Sequence, residues 1–192
     1  MRHDGSGGPR EDLRQRRTKK FLMTALMELM EERPLSEISV VDICERAMVH
    51  RTTFYAHFED KYALLRYAVS EIYRAFQPAG GASRGGDPRT YFMTIFQNAL
   101  SFMREHRGLY RSAAFAGGAD LQALENSVAE ELTQNFAAGG FSPPGSPDLR
   151  ADIVARFYAG ACLALIRWWL DNDMPVSDDV LLSHAERLIF HV

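Results

Sequence analysis

Apolar residues recur three and four positions apart in every long segment of this chain, and nowhere do they alternate two by two. That spacing lines up one side of an α-helix, so the fold class is all-α, with about nine helices packed on one another and no internal repeat. Phe21, Leu22, Ala25, Leu26, Leu29 and Met30 mark a first helix that ends before Pro34. Leu64, Leu65, Ala68, Ile72 and Phe76 mark the inner side of another, from Lys61 to about Gln77, closed by Pro78. Asp87-Pro88 is a good opening for the next, whose apolar side holds Phe92, Ile95, Phe96, Ala99, Leu100 and Met103. A short helix near 108–116, longer ones over 120–138 and 148–172, and a last one capped by Ser177 complete the string.

Residues 38–65 carry the most local detail. Ser39 followed three positions later by Asp42 is a capping-box pattern, which predicts a short helix from Val40 to about Ala47. Met48 and Val49 then form a turn, and a second short helix from His50 to His57 points Phe54 inward, with Phe58 closing its far end. Its outer side is polar. Arg51 and Tyr55 lie one turn apart with Thr52 beside them, offering a guanidinium, a phenol, a hydroxyl and a methyl to a DNA groove. Asp60 reads as the N-cap of the following helix, and Lys61 in its first turn is a cation at the positive end of the dipole, which suggests a phosphate nearby.

These residues resemble the TetR family of bacterial transcription regulators. The likeness runs from Thr18 to about Leu65: a first helix TKKFLMTALMELM, a link ending in IS, and the string A-x-V-x-R-x-T-F-Y-x-H-F-x-x-K-x-x-L from Ala47 to Leu64. The resemblance implies a flexible basic arm over 1–17, a helix-turn-helix DNA-binding domain over 18–65 and a helical ligand-binding and dimerisation domain over 66–192. It implies that the His50–His57 helix enters the major groove, with Arg51, Thr52 and His50 near base edges and Tyr55, His57 and Lys61 on phosphates. Two positions depart from the family pattern. Met48 stands where glycine is usual, which puts the tightness of the turn in question, and His50 stands where serine or threonine is usual.

One recognition helix makes few contacts, so a homodimer on a palindromic operator is expected. Gly160, Ala164, Trp168, Trp169, Leu181 and Leu188, with Ala159, Ala161, Leu182 and Ile189, are the candidate interface residues in the last two helices. The family's middle helices often enclose a small molecule whose effect passes through the fourth helix. Phe92, Phe96, Phe102, Met103, Tyr110, Phe115, Phe136 and Trp168 are the candidate lining here, for an apolar or aromatic effector. Such a regulator is expected to be a repressor released by that effector. An aromatic stripe at helical spacing also serves as plain core, and Tyr55 or His57 as ordinary surface aromatics.

The remaining features bound the reading. The chain has 192 residues, is 46% hydrophobic and carries a net charge of only −3, low for a nucleic-acid binder. The positive charge is local: Arg10, Arg14, Arg16, Arg17, Lys19 and Lys20 crowd the start, as a phosphate-seeking arm or a solubilising tail. Cys44 and Cys162, both in apolar helical contexts, argue against a disulfide framework or a zinc site and fit a reducing cytoplasm. The greasy run from Tyr158 to Ile166 stops at Arg167, short of a membrane span, and the first residues lack a secretory signal's apolar core. No phosphate loop, nucleophile elbow or HExxH is present, so no enzyme, metal or cofactor is expected. Two rival readings remain from the residues: a helical ligand- or partner-binding dimer with impaired DNA binding, and a nucleoid-type binder without sequence preference.

Overall fold

The computed structural model describes residues 13–77, 88–109, 119–137 and 149–190. Among them are nine helices and one 3₁₀ turn, with no strand. In chain order they are α1 (Leu13–Glu32), the 3₁₀ turn Leu35–Glu37, α2 (Val40–Ala47), α3 (Arg51–Tyr55), α4 (Lys61–Phe76), α5 (Pro88–Glu105), α6 (Arg107–Leu109), α7 (Ala119–Ala137), α8 (Ala151–Asp171) and α9 (Asp178–Phe190). Most bounds agree with the periodicity. Three need comment: α1 begins at Leu13, so residues 13–17 are helix and not part of a flexible arm; α3 ends at Tyr55, two residues before the expected His57; and the end of the short helix expected near 108–116 lies outside the described residues. Leu13, Arg14, Gln15, Arg16 and Arg17 are all good helix formers, and the Thr18 hydroxyl donates to the Arg14 carbonyl at 3.0 Å.

Two apolar clusters organise the molecule. In the first, Leu22, Leu26 and Leu29 of α1 meet Ile43 of α2, Phe54 of α3 and Leu64 of α4, all buried. In the second, Phe92, Phe96 and Leu100 of α5 meet Ala155, Tyr158 and Trp169 of α8 and Leu181 and Ala185 of α9. Met103 packs against both. The two clusters are tied at α6, where Leu109 enters the first one. Gly108 makes that approach possible, since a Cβ there would lie 3.1 Å from the Glu31 Cβ of α1. Two residues earlier, His106 Nδ1 lies 2.9 Å from Glu31 Oε1.

α7 lies along both α4 and α8 and so closes the body onto the long helix that leaves the head. α9 is strapped to α5 by Arg89 on Glu186, at 2.8 Å, and by Arg104 on Asp178, at 2.5 Å. α8 is apolar on two sides, with one stripe in the core and another on the surface. By length and composition alone it could pass for a membrane span.

Candidate nucleic-acid interface

α2 forms as its capping pattern dictates. The Asp42 carboxylate accepts from the hydroxyl and the amide of Ser39 at 2.7 and 2.8 Å, and the Ser39 hydroxyl accepts from the Asp42 amide at 3.2 Å. These Ser39 hydrogen bonds, helped by Arg33 at 3.0 Å, hold the Asp42 carboxyl below the ordinary carboxylate range. Arg46 ties the other end of α2 to Glu28 and Glu32 of α1. The pair α1–α2 is thereby a rigid support.

The turn to α3 closes without glycine. Met48 adopts φ 53 and ψ 44, its side chain is 93% exposed, and the Val49 amide donates to the Cys44 carbonyl at 2.9 Å. The tightness in question is kept, at the expense of a left-handed backbone on a side-chain-bearing residue. α3 itself spans only five residues, too short to hold by its own hydrogen bonds, and tertiary contacts fix it. Phe54 is completely buried and Phe58 nearly so, with ring centroids 5.9 Å apart. Those two anchors turn His50, Arg51, Thr52 and Tyr55 outward, all exposed, while His57 is half-buried beside Phe58. His50 precedes α3 as its N-cap but makes no side-chain cap bond. Phe58 also packs on Tyr67, over which Lys19 sits at 5.6 Å, so the basic start of α1 flanks the α3–α4 junction.

Lys61 departs from the expected role. Its ammonium donates to the carbonyls of Leu35, Ser36 and Ile38 at 2.7, 3.2 and 2.8 Å, which takes up all three of its protons. Desolvation lowers its pKa, while Asp120, Asp42 and Asp60 pull the other way. It holds main chain together, and a phosphate would have to displace those bonds. The cation is tolerated at the head of α4 because the 3₁₀ turn supplies the negative ends of carbonyl dipoles. The N-cap below it forms as expected, with Asp60 accepting from the Ala63 amide at 2.7 Å.

Above the head lies a cavity of about 160 Å³. Of the residues proposed to line it, Phe92, Phe96, Phe102 and Met103 do so. Phe136 packs in the second cluster without reaching the cavity, and Tyr110 and Phe115 lie outside the described residues. Trp168 points the other way and is 48% exposed. Contributors that sequence reasoning missed are Met27 and Met30 of α1, Leu65, Ile72 and Tyr73 of α4, Leu124, Val128 and Leu132 of α7, and Tyr158, Cys162 and Ile166 of α8. No charged side chain is among them.

The outer side of α8 shows Ile153, Phe157, Gly160, Ala161, Ala164 and Trp168, spaced as one helical stripe, with Val180 and Leu188 of α9 also exposed. Gly160 has open space around its Cβ position. Four of the six residues named for an interface therefore stand on this surface. The other two do not: Trp169 is 1% exposed, with its indole N–H donating to the Val176 carbonyl at 2.8 Å, and Leu181 is buried in the second cluster. Trp169 belongs to the core because it lies about a quarter turn round α8 from Trp168, while Leu181, on the same side of α9 as Leu188 but two turns earlier, packs into the second cluster. Among the described residues no group of three or more His, Cys, Asp or Glu could hold a metal ion.

Comparison with known proteins agrees with this anatomy. Residues 22–68 match the family described as bacterial regulatory proteins, tetR family, and residues 92–191 match one described as transcriptional regulator C-terminal region. The HTH-type transcriptional regulator YxbF of Bacillus subtilis (strain 168), itself uncharacterized, is 21% identical over 173 residues, which are 86% of this chain and 43% of that relative. The chain thus spans less than half the length of that curated relative. A TetR transcriptional regulator of Streptococcus agalactiae 2603V is similar in structure, with a TM-score of 0.59 at 19% identity over 94% of this chain and 97% of that one. NalD of Pseudomonas aeruginosa, the secondary repressor of the MexAB-OprM multidrug efflux pump, has a TM-score of 0.55 at 19% identity over 92% and 96%.

Proposed function

The chain belongs to the TetR family of bacterial transcription regulators, and from that premise we propose that it binds duplex DNA as a homodimer and lets go when an apolar molecule fills its cavity. α3 of each copy enters a major groove, where Arg51 and Thr52, with His50 beside them, address base edges and Tyr55 and His57 hold phosphates. The observation that carries this is the sidedness of α3: its one buried residue is Phe54, and Arg51, Thr52 and Tyr55 are exposed together on the opposite side, with His50 just ahead of them. The left-handed Met48 supports the same reading, because the turn that presents α3 is intact.

Selection of bound fragments from the source genome, followed by fluorescence anisotropy, tests it. Arg51→Ala should cost about 1–3 kcal/mol at the selected site and little on random duplex. Equal loss on both would remove Arg51 from base reading. No salt-sensitive, sequence-selective complex at all would favour a ligand- or partner-binding dimer without DNA.

The effector follows from the cavity lining. A charged ligand would lose its hydration there with no counter-charge in return, whereas an apolar chamber of about 150 Å³ is known to take up benzene-sized molecules. Naphthalene-like neutral compounds should raise the melting temperature by several degrees at saturation, charged analogues of equal size should not, and Ala99→Leu should abolish the effect by filling the space. A screen in which only charged compounds stabilised the protein would overturn this. The sign of regulation proposed, release on filling, is that of a repressor, as NalD is described to be.

A further inference from the structure

The 3₁₀ turn Leu35–Glu37 stands one residue ahead of Ser39, the N-cap of α2, so its pose sets that of α2 and α3. It is gripped from two directions. From α7, the buried Asp120 accepts on Oδ2 from the amide and the hydroxyl of Ser36, both at 3.0 Å. From α4, Lys61 donates to the carbonyls of Leu35, Ser36 and Ile38. Between the two grips, Leu35 and Ile38 are each 1% exposed and sunk in the first cluster.

The same two helices form walls of the cavity. Along α7, Asp120 is followed at intervals of four by Leu124, Val128 and Leu132, all three of which line the chamber. Along α4, Lys61 is followed at intervals of three and four by Leu65, Ala68, Ile72 and Phe76, all lining it too. Each helix therefore carries one continuous stripe, with cavity-facing side chains along its length and a charged grip on the 3₁₀ turn within its own first turn. A helix moves as a stiff rod, and hydrogen bonds tolerate only tenths of an ångström before weakening. Material that parts Val128 from Ile72 must also shift Asp120 against Lys61.

We propose that Asp120, with Lys61 opposite, is a positioning residue for DNA reading: a clamp on the turn before α2 that passes movement of the cavity walls to α3 through α7 as well as α4. The proposal rests on the DNA-binding reading above. Ser36, Asp120 and Lys61 touch no DNA in it; they fix where α3 points.

The full-length protein tests this with Ser36→Ala, Asp120→Ala, their double variant, Asp120→Asn and Lys61→Met, each assayed well below its melting temperature. Ser36→Ala removes one exposed hydroxyl and leaves the fold little to lose. Asp120→Ala should weaken binding of the selected fragment five- to twenty-fold, Ser36→Ala less, and the double variant no more than Asp120→Ala alone, since both remove one contact. Asp120→Asn keeps an acceptor oxygen in place and should stay within threefold of wild type. Hydrogen exchange of the α2 and α3 amides should quicken at least fivefold in Asp120→Ala, with α8 amides unchanged. Lys61→Met should weaken binding without altering its salt dependence; a slope smaller by about one would return Lys61 to the phosphate backbone and overturn its part in the clamp. A lower melting temperature with affinity within twofold of wild type and unchanged head exchange overturns the proposal as a whole. If wild type binds no fragment selectively, the DNA reading fails by itself, and head exchange alone then decides the clamp.

Discussion

At the level of single residues, Met48 shows how a chain keeps a turn with an unfavoured side chain. Its φ of 53 costs a residue with a Cβ about 1–2 kcal/mol relative to glycine, and its exposed side chain recovers nothing from packing. Met48→Gly should therefore stabilise the protein by about 1 kcal/mol, after allowing for the greater freedom glycine gives the unfolded chain. Thermal melting should read this as a rise of about 2–4 °C; an unchanged or lower midpoint would mean that the methionine makes a contact of value. Lys61 and Asp120 mark where local reading stops. The sequence places Lys61 at a helix start and suggests a phosphate partner, yet the carbonyls that occupy it come from 23 to 26 residues upstream. Asp120 and Ser36 lie 84 residues apart, and no local pattern links them.

At the level of elements, local patterns fix local structure. The Ser39–Asp42 box sits inside four residues and yields both the start of α2 and its chemistry. Its contribution depends on pH in a definite direction. The folded Asp42 carboxyl titrates below its unfolded value of 3.8, so the stabilisation is complete above that value and is lost as pH falls through the lowered folded one. Asp42→Asn should remove this acid-sensitive component, leaving a variant less stable at pH 6 whose deficit narrows below about pH 4, as measured by urea midpoints. A deficit constant with pH would refute the assignment. α8 shows the opposite case. With apolar residues on both sides, periodicity alone cannot decide which tryptophan faces the core, and the choice is made by Val176, whose carbonyl receives the Trp169 indole N–H. Trp168, one residue earlier, is left outside. α1 starts early because, although the basic cluster suggests a tail, nothing in Leu13–Arg17 breaks a helix.

At the level of the whole molecule, the outer stripe of α8 with Val180 and Leu188 of α9 is an apolar surface left exposed in the described chain, and the proposed pair would cover it. Trp168→Glu should raise the dimer dissociation constant about thirty-fold or more, the effect of removing a central aromatic worth about 2 kcal/mol. Light scattering coupled to gel filtration should then give the mass of one chain where wild type gives that of two; a variant still running at double mass would move the interface elsewhere. The fold class was legible because helical periodicity is a local property, and the exposed side of α3 was legible because one turn of helix fixes which groups share a face. The cavity was legible only in part, since its walls come from six helices and periodicity tells that a residue is inward, not what it faces.

α8 has one side in the chamber and the other on the exposed apolar stripe, so in the proposed pair only the thickness of one rod, about 10 Å, would separate a captured guest from the neighbouring protein. Partition walls this thin are heard through. In that pair the first guest to arrive would reset the packing that the second meets, and the occupancy of both rooms would climb more abruptly with concentration than two isolated rooms could manage.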